Sequence, residues 1–310
     1  MTRPPLVVVV GPTAAGKSAL ALDLAVRLHG EIVNADAMAL YRGLDIGTAK
    51  PTEAERSVVP HHLLDVLDVT ETASVAAYQR DARAVIERLR AIGRTAVLVG
   101  GSGLYVQAVI DELEFPGTDA ALRGELEAEL AERGPAALHA RLATLDPAAA
   151  AAVLPSNGRR IVRALEVIAL TGRPFPARFP VGARPRYGAV LLGVDRADDE
   201  LDARVARRVA RMFAAGLVQE TRSLLPAGLR DGRTASRALG YQQVLAAIEG
   251  DDDALLTAAA ADTVRATRRF VRRQRSWFRR DVRVHRLDAS EPDLPGRAWS
   301  VLREWGALNS

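Results

Sequence analysis

The chain has 310 residues, 48% hydrophobic and 26% charged, a composition that fits a globular protein of one large domain with an insertion, or of two domains. It contains no cysteine, which excludes disulfides and thiolate metal sites, and no apolar run approaches the ~20 residues that span a bilayer. The net charge of +4 hides an asymmetry: residues 1–100 balance, residues 101–153 are net −6, and residues 154–310 carry 28 basic against 18 acidic side chains. That skew suggests an anionic partner for the C-terminal half, although 40 of the 42 basic residues are Arg, a bias that an Arg-rich proteome also produces.

In chain order, "PLVVVV" reads as a buried strand and residues 17–28 as a helix that opens in the Gly-rich stretch between them. "EIVNAD" is a second short strand ending at Asp36. "SVAAYQRDARAVIERLRAIG" has helical apolar spacing, with Gly93 just past its end, and "TAVLVGGSGLY" is a strand running through glycines into another helix. Alternation of this kind predicts an α/β fold with a parallel sheet covered by helices, and ligands in such sheets bind beyond the carboxyl ends of the strands. Between residues 114 and 182 the pattern becomes Ala-rich and helical without strands, which predicts an all-helical insertion. "YGAVLLGVD" returns to the sheet, and helices are expected from there to near the end. The expected units are therefore 1–113 and 183–310 for the core and 114–182 for the insertion.

The stretch "GPTAAGKS" matches G-x-x-x-x-G-K-[ST] between a strand and a helix, the context its mechanism needs. Gly11, Pro12, Thr13, Ala14, Ala15, Gly16, Lys17 and Ser18 are thus candidate diphosphate ligands. Backbone N–H groups and the helix N-terminus would cradle the anion, Lys17 would add a point charge, and Ser18 would ligate Mg²⁺. A hydrolase of this type adds a strand ending in Asp to hold the metal. The strand "TAVLV" ends in Gly100-Gly101 instead, and the strand-end carboxylate is Asp36. The residues alone leave Asp36 open as a metal ligand, a general base or the cap of a following helix.

Two arginine patterns stand out. Arg204, Arg207, Arg208 and Arg211 share one face of a helix whose apolar stripe is Leu201, Val205, Val209 and Met212. From residue 263 to 280 there are eight arginines and no acids, with Val264, Thr267, Val271, Gln274 and Phe278 on one side of the helix and Arg265, Arg268, Arg272, Arg275 and Arg279 on the other. Phosphate-backbone contact is the better reading of that surface, and Arg159, Arg160 and Arg163 extend it into the insertion. His61, His62 and Lys50 read as structural.

Taken together, "GPTAAGKS", "DAMALYRGLDIGTAKP", "VPHHLLDV", "LVGGSGLYVQA", "NGRRIVRALEV", "RALGYQQ" and "TRRFVRRQRSWFRR" resemble, in order, segments of the tRNA dimethylallyltransferase (tRNA isopentenyltransferase) family. The resemblance runs through most of the chain. It implies a P-loop NTPase-like core with a helical insertion, and transfer of a five-carbon prenyl group from dimethylallyl diphosphate to N6 of the adenosine 3′ of the anticodon, with Mg²⁺ as cofactor. It also implies a catalytic set of Asp36 as general base with Lys17 and Arg208 on the leaving diphosphate. It places Ser102 and Arg123 near the substrate tRNA; with the basic surfaces above, the expected contacts to the tRNA anticodon stem-loop are Asp36, Ala37, Met38, Ala39, Ser102, Arg123, Arg159, Arg160, Arg163, Arg237, Gly240, Tyr241, Arg272, Arg273, Arg275 and Arg279. The expected protein is a cytoplasmic monomer with no membrane partner. Ala37 and Ala39 depart from the family pattern, which has Ser and Gln there. An ATP-dependent kinase, an adenylate prenyltransferase and an RNA-binding protein with an idle phosphate loop are the competing readings.

Overall fold

The computed structural model describes residues 4–176, 184–249 and 253–305. Among them six strands form one parallel sheet: β1 (Val7–Val10), β2 (Glu31–Asn34), β3 (His61–His62), β4 (Ala96–Gly100), β5 (Val190–Asp195) and β6 (Val284–Asp288), in the order β3-β2-β4-β1-β5-β6. The helices are α1 (Lys17–Arg27), α2 (Glu53–Val58), α3 (Val75–Ala91), α4 (Gly103–Ile110), α5 (Ala120–Leu145), α6 (Pro147–Ala152), α7 (Gly158–Thr171), α8 (Asp198–Ala214), α9 (Leu217–Ser223), α10 (Tyr241–Ala247), α11 (Asp253–Phe278) and α12 (Leu294–Glu304).

The continuous valines of β1 follow from its central place. Val7 and Val9 pack into one apolar cluster with α1, while Leu6, Val8 and Val10 pack into a second with α3 and α4. A strand covered on both faces needs apolar residues at every position rather than at alternate ones. Parallel pairing sets Val10 beside Gly100 on β4 and Gly193 on β5, and Asn34 beside Val99. The carboxyl ends of β1, β2 and β4 therefore lie together, so the loops after them share one edge of the sheet. This is a P-loop NTPase-like core.

Two compact units divide the chain, one of residues 1–112 and 183–310 and one of 113–182. The expected boundary at 182/183 lies outside the described residues. In the second unit, Leu126, Leu138, Leu142, Ile161 and Leu165 form a core of their own. Its long helix α5 is broken where Pro135 follows Gly134, whose backbone is non-helical.

Two sequence expectations need correction. The chain does not stay helical after β5: "VHRLD" forms β6 and pairs with β5 from Leu191 to Asp195. Strand β2 ends at Asn34, and no helix begins at Asp36, since the next helical residue is Glu53. Asp36 is therefore not a helix cap.

Candidate active site

The phosphate loop turns where backbone geometry forces it to. Gly11 has φ 141°, and a Cβ there would lie 2.1 Å from the Val194 carbonyl oxygen of β5, so the loop leaves the sheet only as glycine. Two arginines hold the loop from outside: Arg196 Nε donates to the Ala15 carbonyl at 3.0 Å and Arg204 Nε to the Ala14 carbonyl at 2.7 Å. The Ala15 N–H turns back to the Pro12 carbonyl at 3.3 Å, so the amides left for an anion are those of Gly16 and the first turn of α1.

Lys17 opens α1, and its Nζ donates to the Pro12 carbonyl at 2.7 Å. Burial, helped by the Arg208 charge, brings its pKa down to about 8, against the opposing pull of Asp36. Lys17, Arg208 and Asp36 are thus close enough to act on one another electrostatically, although 191 positions separate the first two. Arg208 is itself shifted down by burial, with Asp36 opposing. A cavity of ≈ 640 Å³ lies between loop and helix, lined by Gly16, Lys17 and Ser18 on one side and by Arg204, Arg207, Arg208 and Arg211 on the other. The sequence placed these four arginines on one helical face and singled out Arg208 alone for a role. The structure turns Arg204 and Arg208 inward, whereas Arg207 and Arg211 line the cavity from exposed positions.

Arg208 is propped by a segment that the sequence marks only as "LDIGTAK". Its NH2 donates to the Thr48 carbonyl at 3.2 Å. That segment is tied down from below: Ile46 N donates to Glu220 at 3.0 Å, Gly47 N donates to the Tyr241 hydroxyl at 3.0 Å, and the Tyr241 hydroxyl donates to Glu220. Lys50, almost fully buried, donates to Asp45 at 2.7 Å as well as to Asp65 and the Tyr41 carbonyl. Its structural reading therefore holds. A second cavity, of ≈ 850 Å³, runs along this segment and shares Arg208 and Arg211 with the first.

Asp36 sits two residues past β2 in a loop shaped by Asn34, whose side chain accepts from Asp36 N at 2.9 Å and donates to the Asp36 and Leu63 carbonyls. Asp36 Oδ1 accepts from Met38 N at 2.9 Å; among the described residues Oδ2 has no protein partner. Nearby, the Tyr78 and Tyr105 rings meet at a 42° tilt with centroids 4.5 Å apart, and Tyr78 donates to the Asn34 carbonyl. Burial pushes the Tyr105 hydroxyl up to about 12, with the Tyr41 hydroxyl and the Asp36 charge adding to it. A carboxylate with one open oxygen can take a proton from a substrate held beside it.

Ser18 is exposed on the first turn of α1 and lines the cavity. Among the described residues no group of three or more His, Cys, Asp or Glu is placed to hold a metal ion. The donor set fits a cation carried largely by the oxygens of a bound diphosphate, with Ser18 as its protein ligand, as is usual for Mg²⁺.

The expected tRNA contacts divide. Arg159, Arg237, Arg272, Arg273 and Arg279 are exposed, and Ser102 caps the start of α4 with its hydroxyl making no capping bond. Arg160 stands over Phe175. Ala37 and Met38 are half-buried beside Asp36, whereas Ala39 is 5% exposed and faces the core. Tyr241 and Gly240 are corrected: both are buried, and Tyr241 is the clamp of Ile46–Gly47 rather than a surface contact. Arg275 is also turned inward, its Nε donating to Asp195 at 3.0 Å, so it anchors α11 to the end of β5. Arg123 and Arg163 both donate to the fully buried Glu166. Burial would raise that carboxyl, but the two arginines hold it below the usual carboxylate range. They form the polar centre of the insertion.

Sequence reading missed Gln274. It lies 5% exposed on the buried stripe of α11, accepting from Thr13 N at 2.9 Å and donating to the Gly101 carbonyl at 3.0 Å. The signal was present, since a Gln between Val271 and Phe278 on an apolar stripe needs polar partners.

The IPP transferase family model matches residues 39–281. Over 302 residues the chain is 63% identical to a tRNA dimethylallyltransferase of Streptomyces coelicolor, covering 96% of each. It is 64% identical over 301 residues to one of Saccharopolyspora erythraea, covering 97% of this chain and 96% of that protein. The crystal structure of a full-length tRNA isopentenylpyrophosphate transferase from Bacillus halodurans superposes with a TM-score of 0.71 at 38% identity, covering 99% of both chains. A phosphate loop without a metal-binding strand end, faced by arginines and by one open carboxylate, is thus found in a chain that belongs to the IPP transferase family, the family of the tRNA dimethylallyltransferases.

Proposed function

We propose that this protein transfers a dimethylallyl group from dimethylallyl diphosphate to N6 of the adenosine 3′ of the anticodon in tRNA, releasing pyrophosphate. The observation that carries the reading is that Lys17 and Arg208 line one cavity beside the phosphate loop while Asp36, with one free oxygen, acts electrostatically on both.

In the reaction the lone pair on N6 attacks the first prenyl carbon as the bond from that carbon to the diphosphate oxygen breaks. The N6 proton passes to Asp36 Oδ2. Charge builds on the leaving pyrophosphate, where Lys17, Arg208 and the loop amides stabilise it more than in the ground state. Mg²⁺, held by Ser18 and the diphosphate, would add a Lewis-acid contribution to the same charge. An exocyclic amine conjugated to adenine is a poor nucleophile, so proton acceptance during attack is what the carboxylate supplies. The adenine must leave its stack to reach Asp36. The exposed Arg272, Arg273 and Arg279 of α11 and Arg159 and Arg160 of the insertion are the proposed tRNA-backbone contacts, with Ser102, Arg237, Ala37 and Met38 nearer the substrate base.

We further propose that residues 114–182 act as a tRNA-contacting domain and that the enzyme works as a monomer in the cytoplasm, where tRNA is used. The test is incubation with labelled dimethylallyl diphosphate, Mg²⁺ and either tRNA or AMP. Label in tRNA at adenosine N6 is the expected outcome. Label in AMP alone, or in neither, overturns it.

A further inference from the structure

We propose that Gln274 is a positioning residue that holds the phosphate loop and the Gly100–Gly103 loop in register, so that the diphosphate and the group handled near Ser102 meet at the right separation. The proposal rests on the transfer reaction above, and its test separates the two.

Beyond the ends of β1 and β4 no ladder hydrogen bonds fix the distance between the two loops; the paired register stops at Val10 and Gly100. Gln274 takes over there. Its Oε1 accepts from Thr13 N at 2.9 Å and its Nε2 donates to the Gly101 carbonyl at 3.0 Å, so one carboxamide cross-links positions 261 and 173 residues away. The partners fix its orientation, because a peptide N–H can only donate and a carbonyl can only accept. A carboxamide on an otherwise apolar stripe is costly unless both ends are satisfied, and here both are.

The surroundings are fitted to this link. A Cβ on Gly101 would lie 2.1 Å from Gln274 Nε2, so residue 101 must be glycine for the carboxamide to reach it. Ala14, next after Thr13, holds φ 69°, a conformation that L-residues keep only when neighbours impose it. The Thr13–Gln274 bond on one side and the Arg204–Ala14 bond on the other impose it. Gln274 touches neither the reacting atoms nor the cavity lining given above. It acts through the two loops.

The variants are Gln274→Met, which keeps length and loses both hydrogen bonds, and Gln274→Glu, which keeps the acceptor but points a second oxygen at the Gly101 carbonyl. In steady-state transfer the Met variant is expected to lose about 10²-fold in kcat, the scale of a small misplacement of reactants, while donor KM changes far less because Lys17 and Ser18 remain. For the Glu variant, the ratio of its kcat to that of the parent should climb as pH falls, since a protonated carboxyl can again donate to Gly101. Taking the ratio at each pH divides out the pH effects that the two proteins share. The Met variant's ratio should stay flat. Amide hydrogen exchange at Thr13 should be slow in the parent and fast in the Met variant. A parent-like kcat in the Met variant, a pH-independent ratio in the Glu variant, or unchanged Thr13 exchange overturns the proposal. Melting temperatures identify a variant that fails to fold, and the other then decides. A parent that transfers no prenyl group sinks the proposed function alone, because Thr13 exchange still judges the role of Gln274.

Discussion

Replacing Asp36 by Asn removes a charge and a proton acceptor while leaving the loop nearly intact. The Asn oxygen can still accept from Met38 N, and the bonds from Asn34 that shape the turn go to the Asp36 backbone, which the substitution does not alter. The expected stability loss is therefore about 1 kcal/mol, the difference between a charge-assisted and a neutral hydrogen bond. The rate should change much more. Loss of a positioned base costs on the order of 10²–10⁴-fold, or roughly 3–5 kcal/mol of transition-state stabilisation. A second consequence is specific to this site. The Asp36 charge props up the Lys17 pKa, which burial and Arg208 have already brought to about 8. Without Asp36 the Lys17 pKa falls further, so donor binding should weaken at a lower pH than in the parent, with little loss at pH 6–7. Single-turnover transfer gives the rate, and donor affinity measured across pH gives the position of Lys17. A near-parental rate in Asp36→Asn would refute the general-base assignment. A loss of donor affinity at neutral pH that excess Mg²⁺ restores would refute it in a different way, by making Asp36 a metal ligand.

In the parent, dimethylallyl diphosphate affinity should fall as pH rises through about 8, because the lowered pKa means that Lys17 loses its charge there; affinity unchanged to pH 10 contradicts the placement of Lys17. Tyr241→Phe removes the group that accepts from Gly47 N and donates to Glu220, so chemical denaturation should show a loss of ~1–3 kcal/mol, and a parental midpoint would show the clamp to be idle. Replacing Arg272, Arg273 and Arg279 together by Gln should weaken tRNA binding and flatten its salt dependence by about 0.9 in log–log slope per lost phosphate contact, with donor binding unchanged. Arg275→Gln should instead lower the melting temperature and leave that slope alone, since its guanidinium is engaged by Asp195; equal effects on the slope would put all four on the same surface.

The sequence by itself determined what depends on short-range pattern. A run of valines, a phosphate loop and strands alternating with helices were enough for a parallel sheet with its ligand edge, and the Ala-rich stretch was enough for an all-helical insertion. It also brought Lys17, Ser18 and Asp36 to one edge, because parallel connection places successive strand ends together. Only the tertiary structure decided which arginines face the loop and which face water. A helical wheel sorts residues by angle and does not say what lies opposite: Arg204 and Arg208 meet loop carbonyls, Arg275 meets Asp195, and Arg272 meets solvent. Strand β6 escaped for a related reason, since a five-residue edge strand has little periodicity of its own and exists by pairing with β5. Tyr241 and Gln274 show the same limit from within the core. Their partners lie 194, 261 and 173 residues away, so a polar group on an apolar stripe signals that a partner must exist, and only the folded chain says which.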